Sequence, residues 1–218
     1  MNNRQANMSS SIVRNGFLIR MRASAALPAL EYPLPAVGRV AVVGTRLGAE
    51  QDVRSFPHWS TPDLENWKPQ ALAGRRSELF AMGALRRQGY LALPELRFPL
   101  VVLSSLPEGP LSAEQHERLW WLFELPVYEQ IRGADDTLLG WECDARNGWH
   151  LACGENGSPK VTLDELRAEG WLGAPARGLC GCGKTCLRWI AEPAVGRRAA
   201  AVAAGRSAHN GGVLQYAS

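Results

Sequence analysis

Four residues in the second half of the chain are of types that hold a borderline-soft metal ion. Cys143 and His150 have six residues between them and flank Asn147-Gly148, a pair that favours a tight hairpin turn. Cys180 and Cys182 have only Gly181 between them. Three thiolates and one imidazole form the Cys3His set that Zn²⁺ takes in structural sites, where four protein ligands leave no open position for water or substrate. Gly148, Gly181 and Gly183 supply the tight backbone that such a cage needs. The spacing is not a pair of CxxC motifs, so the same residues also fit other roles. Cys143 would serve as a small core thiol, with the cysteines at 180–186 incidental. Cys153 or Cys186 could replace one ligand. A catalytic cysteine is a third role, but the sequence offers it no base and orienting partner.

A second motif overlaps the first. Residues 178–185, Gly-Leu-Cys-Gly-Cys-Gly-Lys-Thr, match the phosphate-binding pattern GxxxxGK[ST]. A phosphate loop needs a core strand before it and a helix after it. The preceding segment contains Gly173 and Pro175, and Pro193 follows within a few residues. A turn presenting two thiolates fits these residues better. Residues 42–48 join an apolar run to two glycines without dinucleotide-binding spacing, and read as a strand and turn.

The elements that would carry these residues follow from periodicity. Residues 39–43 are a short β-branched run closed by Gly44. Thr61-Pro62-Asp63 predicts a helix start, with Thr61 as cap. Residues 74–88 predict a helix on the spacing of Leu79, Met82 and Leu85, with Gly89 as its stop. The apolar run 98–104 predicts a buried, parallel strand. Ser112 and Gln115 form a capping box for a helix reaching about residue 124, with His116, Leu119, Trp120 and Phe123 along one stripe. The Trp120-Trp121 pair reads as core plus rim. After Pro126, residues 127–131 predict a strand, which completes a βαβ unit. Residues 138–143 and 149–152 then form the hairpin that carries Cys143 and His150. His58 and His116 read as surface or edge histidines.

The chain has 218 residues, 46% hydrophobic and 21% charged, which excludes wholesale disorder. We expect a flexible lead over 1–30, one α/β domain over 31–192 with a zinc-binding subregion at 138–190, and an Ala/Gly-rich disordered tail over 193–218. A net charge of +3, with only three lysines (Lys68, Lys160, Lys184) among 24 basic residues, does not argue for a nucleic-acid partner. No apolar run is long enough for a membrane span and the first residues lack a signal-peptide core, so a cytoplasmic protein with reduced thiols is expected.

Taken in order, several segments resemble the phenylacetate–coenzyme A ligase branch of the AMP-dependent synthetases. They are Phe-Pro-Leu-Val-Val-Leu-Ser-Ser at 98–105, Gly-Pro-Leu-Ser-Ala-Glu-Gln at 109–115, Leu-Phe-Glu-Leu-Pro-Val-Tyr-Glu at 122–129, Trp141-Glu142-Cys143, Gly148-Trp149-His150, and the turn from Cys180 to Thr185. The resemblance covers about residues 75–190. It implies an α/β fold: a βαβ core like part of the large domain of an adenylate-forming ligase, plus a zinc-bound hairpin and knuckle. It also implies that the family's zinc ligands fall on Cys143, His150, Cys180 and Cys182.

The departures carry equal weight. The family's early Ser/Thr/Gly-rich phosphate loop is missing, as is the lid domain with its catalytic lysine. Where the family has Tyr-Gly-x-Thr-Glu, this chain has Ile131-Arg-Gly-Ala-Asp-Asp136, and only Asp135 or Asp136 could stand in for the magnesium-side carboxylate. The resemblance therefore implies a pseudoenzyme-like, zinc-binding accessory or binding protein, with a protein partner or a small acyl or aryl ligand. The alternative it leaves is a ligase-like enzyme fragment that acts with a partner chain.

Overall fold

The computed structural model describes residues 30–31, 38–47, 52–60 and 62–191. The expected lead over 1–29, the expected tail, Gly48 and the Thr61 cap lie outside these residues. Nine strands form one sheet, in the order β2-β1-β3-β4-β5-β6-β7-β9-β8. The first five are β1 (Val40–Val43), β2 (Val53–Phe56), β3 (Ala71–Arg75), β4 (Leu100–Ser105) and β5 (Val127–Arg132), and neighbours among them pair in parallel. The other four are β6 (Leu138–Glu142), β7 (Trp149–Leu151), β8 (Gly173–Ala176) and β9 (Arg188–Ala191), and all their pairings are antiparallel. Four helices complete the described chain: α1 (Pro62–Trp67), α2 (Arg76–Arg87), α3 (Ala113–Phe123) and α4 (Leu163–Ala168).

The order 2-1-3-4-5 and crossover handedness together decide which face each connection covers. Crossovers between parallel strands are right-handed almost without exception. The steps β2 to β3, β3 to β4 and β4 to β5 run in one direction and so place α1, α2 and α3 on one face. Leu64, Leu79, Met82, Leu119, Leu122 and Phe123 all join the core cluster that contains Leu72, Leu100 and Val102. The step from β1 back to β2 lies on the other face, where Leu47 packs with Val42, Ala73, Val101 and Leu103. Burial on both faces explains why β4 reads as an unbroken apolar run.

The local signals for α3 hold in detail. The Gln115 amide donates to Ser112 Oγ at 3.1 Å, and the Gln115 side chain accepts from the Ser112 amide at 3.0 Å. Helix α2 ends as expected: the Gly89 amide donates to the Arg86 carbonyl and the Tyr90 amide to the Leu85 carbonyl, the paired bonds of a Schellman motif.

Three expectations need correction. Gly74 and Arg75 do not open α2 but close β3, and α2 starts at Arg76. The β3 sequence, Ala-Leu-Ala-Gly-Arg, is poor in β-branched residues, so propensity hid a strand that burial between β1 and β4 enforces. Trp120 is not core: it is 53% exposed and Trp121 is 56% exposed, because Leu119, Leu122 and Phe123 take the buried stripe. Strands β8 and β9 were not foreseen, and Gly-Ala-Pro-Ala at β8 tolerates strand geometry because Pro175 lies on an edge strand.

The antiparallel half has its own core. Ile131, Leu139, Trp149, Leu151, Val161, Leu166, Trp171 and Trp189 pack together. The Trp189 indole N–H donates to the Trp171 carbonyl and the Trp171 indole N–H to the Leu106 carbonyl, each at 2.9 Å, so both large rings are polar-satisfied while buried. Among the described residues, no helix is long and apolar enough to cross a membrane.

Candidate metal centre

The hairpin and the glycine-rich turn meet at one point. Cys143 follows directly on β6, and Glu142 pairs with Trp149 across the hairpin. The loop from 143 to 148 is held by the Arg146 amide donating to the Cys143 carbonyl at 3.0 Å. Gly148 has φ +82, and a Cβ there would lie 2.3 Å from the Trp189 carbonyl oxygen. Only glycine satisfies both the left-handed backbone and this close approach. His150, in the middle of β7, is fully buried.

The turn between β8 and β9 supplies the other two donors. Leu179 and Thr185 form a β-bridge, the Cys180 amide donates to the Lys184 carbonyl at 3.0 Å, and the Gly183 amide donates to the Cys180 carbonyl at 2.8 Å. A knuckle of this kind points successive sulfurs inward. It lies between edge strand β8 and antiparallel strand β9, so a strand and not a helix follows it directly. The GxxxxGKT pattern is therefore not set in phosphate-loop surroundings. Lys184 instead pairs with Glu31 at 2.5 Å and stands 4.9 Å over the Trp141 ring.

One donor atom each from Cys143, His150, Cys180 and Cys182 lie within 4.8 Å of one another. The Cys143 and Cys180 sulfurs are 3.7 Å apart, and Cys182 Sγ is 3.4 Å from His150 Nε2. A tetrahedral ion with Zn–S of about 2.3 Å and Zn–N of about 2.0 Å requires S···S of about 3.8 Å and S···N of about 3.5 Å. Those two separations match that geometry, and the group could hold a metal ion.

Its electrostatics point the same way. Burial pushes the Cys143 thiol up to about 12, helped by the neighbouring Cys180 and Cys182 sulfurs. Burial also opposes ionisation of Cys180, but the Cys182 amide and the thiols of Cys143 and Cys182 outweigh it and hold that group below the ordinary thiol value. His150 is lowered by burial, then by Lys184 and Arg188, which keeps the imidazole neutral, the form that ligates. Three clustered sulfurs cannot all carry charge without a cation between them.

The remaining candidates separate clearly. Cys153 is exposed. Cys186, expected as a spare thiol or a replacement ligand, lies 2.7 Å from His150 Nδ1, on the opposite edge of the ring from Nε2. Asp135 closes its own turn, accepting from the Thr137 amide at 3.1 Å and the Thr137 hydroxyl at 2.7 Å. Asp136 pairs with Arg75 and accepts from the Thr45 hydroxyl, at the carboxyl ends of β3 and β1. Neither aspartate belongs to the Cys/His group. His58 is exposed, and His116 Nε2 sits 3.2 Å from the Val127 carbonyl.

Sequence reasoning missed two polar networks. One is the Thr45–Arg75–Asp136 group. The other is buried Glu129, which accepts from Ser104 Oγ at 2.5 Å and the Leu111 amide at 2.9 Å, with Arg76 at 3.6 Å. The signal for the first was available in principle, because open α/β sheets collect polar groups at the carboxyl ends of their strands. Using it required β3. A cleft of about 440 Å³ lies elsewhere, lined by Arg86, Arg87, Ala92, Leu93, Pro94 and Glu124.

No protein-family model matches the chain, and no curated protein does. Among solved structures it is similar to an open conformation of 2-hydroxyisobutyryl-CoA ligase in complex with 2-HIB-AMP and CoA, at 13% identity and a TM-score of 0.46. The match covers 71% of this chain and 44% of that one, so this chain spans less than half the length of the ligase.

Proposed function

We propose that the chain is a zinc-binding accessory or binding module, related to the acyl-adenylating ligases, that does not adenylate carboxylic acids alone. The observation that carries this reading is the convergence of one donor atom each from Cys143, His150, Cys180 and Cys182 to within 4.8 Å of one another. The metal role is structural: four protein donors fill the tetrahedron, and the ion ties the β6–β7 hairpin to the β8–β9 turn. The partner is a protein or a small acyl or aryl ligand rather than nucleic acid or a membrane, and the compartment is the reducing cytoplasm, where the thiols stay available to the metal. Elemental analysis of the purified protein tests the metal, with one Zn²⁺ per chain expected. Pyrophosphate release from ATP with a panel of acyl and aryl acids tests the rest, and turnover above background would overturn the non-adenylating part.

A second reading is a ligase-like fragment that completes a nucleotide or acyl site with a partner chain. The polar group of Thr45, Arg75 and Asp136 at the carboxyl ends of parallel strands favours it, since ligands of open α/β sheets bind there. ATP titration of the purified chain separates the two, because an accessory module gives no heat of binding.

A further inference from the structure

His150 meets a sulfur on each of two opposite edges. Its Nε2 faces Cys182 Sγ at 3.4 Å, and its Nδ1 faces Cys186 Sγ at 2.7 Å. A neutral imidazole carries one N–H, so when one nitrogen gives its lone pair to a metal the other must donate its proton. His150 is fully buried, and a buried N–H without an acceptor would be costly. The group present at the Nδ1 edge is the Cys186 sulfur.

Cys186 is not a fifth member of the ligand group. It lies across the ring from Nε2 and is outside the set of donors within 4.8 Å. The backbone delivers it to this place: the Leu151 amide donates to the Leu187 carbonyl at 2.9 Å, and His150 is in register with Arg188 on β9. The ring face is held as well. Trp141, the cross-strand partner of His150, stacks on it at 5.4 Å between centroids and 21° between planes. The covered face and the anchored edge oppose a ring flip, which would put carbons Cδ2 and Cε1 in place of Nδ1 and Nε2.

We propose that Cys186 is a positioning residue of the metal centre: its sulfur accepts the Nδ1–H of His150 and thereby presents Nε2 to the ion. Carboxylates and carbonyls commonly play this part for metal-bound histidines. This inference rests on the metal reading above.

The test loads ¹⁵N-histidine-labelled protein with one equivalent of Zn²⁺ and reads the His150 tautomer by long-range ¹H–¹⁵N correlation. Zinc affinity is measured in parallel by competition with a chromophoric chelator, in the parent chain and in Cys186→Ala and Cys186→Ser. We expect the Nδ1–H tautomer in the parent. We also expect about a tenfold or larger loss of affinity in Cys186→Ala, and affinity within a few-fold of the parent in Cys186→Ser, whose hydroxyl still accepts. Zinc on Nδ1, unchanged affinity in Cys186→Ala, a serine variant as weak as alanine, or four sulfurs in X-ray absorption would each overturn the inference. If Cys186→Ala fails to fold, the parent tautomer and the serine variant still decide. A parent chain that takes up no Zn²⁺ overturns the metal reading and this inference together, whereas a zinc-loaded parent with indifferent Cys186 variants overturns this inference alone.

Discussion

Strands β1 to β5 and strands β6 to β9 lie in one sheet, yet the two halves bury different things. The parallel half covers Leu72, Leu100 and Val102 with three helices, and its second face holds Val42, Ala73, Val101 and Leu103. The antiparallel half has one short helix, α4, a tryptophan-rich cluster, and a corner filled by sulfur and imidazole instead of aliphatic side chains. A short-stranded region with little helical cover can bury only limited apolar area, and a metal cross-link is a common remedy. The comparison teaches that one half of the sheet is held by helix-covered apolar burial, while the other adds a buried Cys/His group that could hold a metal ion. The join between them is polar: β5 is buried along its whole length although it carries Glu129, Gln130 and Arg132.

The sharpest way to break the comparison is to remove the proposed metal. Cys143→Ser, Cys182→Ser or prolonged chelation should abolish zinc content and expose the amides of residues 138–190 to hydrogen exchange, while β3 and β4 stay protected. Uniform loss of protection across all nine strands would mean that the halves are not separately held. The converse experiment is Leu119→Ala, at a fully buried position of the helical core. It should lower stability by about 2–5 kcal/mol in urea unfolding and leave zinc stoichiometry at one.

A smaller effect is expected at the join. Burial, then the nearby Glu142 carboxylate, push Glu129 up to about 8, against the opposing Ser104, Leu111 and Arg76 contacts. Its folded-state value therefore exceeds its unfolded value, so the folded protein binds the extra proton between pH of about 4.5 and 8. Stability from this group is present below that window and is lost as pH rises through it, at no more than about 1.4 kcal/mol per pH unit. Glu129→Gln should flatten that slope in urea midpoints taken from pH 5 to 8. An unchanged slope would remove Glu129 as its source.

The smallest effect belongs to Lys184, whose ion pair with Glu31 is half exposed. Lys184→Ala should change stability by less than about 1 kcal/mol and leave ATP binding, measured calorimetrically, as it is in the parent. Measurable ATP affinity that vanishes in this variant would restore the phosphate-loop reading of residues 178–185.

Legibility differed between the halves for physical reasons. In the parallel half, β4, α3 and β5 were legible because an apolar run, a Ser112–Gln115 capping box and a Pro126 break are local signals. Strand β3 was not, since its Ala and Gly residues have weak strand preference and are strands only because β1 and β4 flank them. In the antiparallel half the Asn147-Gly148 turn marked the hairpin, whereas β8 and β9 pair through long-range contacts that leave little trace in either segment.

The chemistry of the candidate site divides along the same line. Residue type and turn-forming glycines alone determined that Cys143, His150, Cys180 and Cys182 form a possible zinc set, because ligand preference and tight-turn geometry are local properties. The sequence also left Cys153 and Cys186 as spare thiols, either of which could replace one ligand, since spacing along the chain carries no information on which face a side chain takes. Only the tertiary structure decided between them. Pairing of β7 with β9 sets Cys186 against the Nδ1 edge of His150, the knuckle sets Cys180 and Cys182 on the other side, and Cys153 stays exposed. The same holds for Asp136, whose partners, Thr45 just after β1 and Arg75 at the end of β3, lie 91 and 61 residues away and meet it only because parallel strands end at one edge of the sheet.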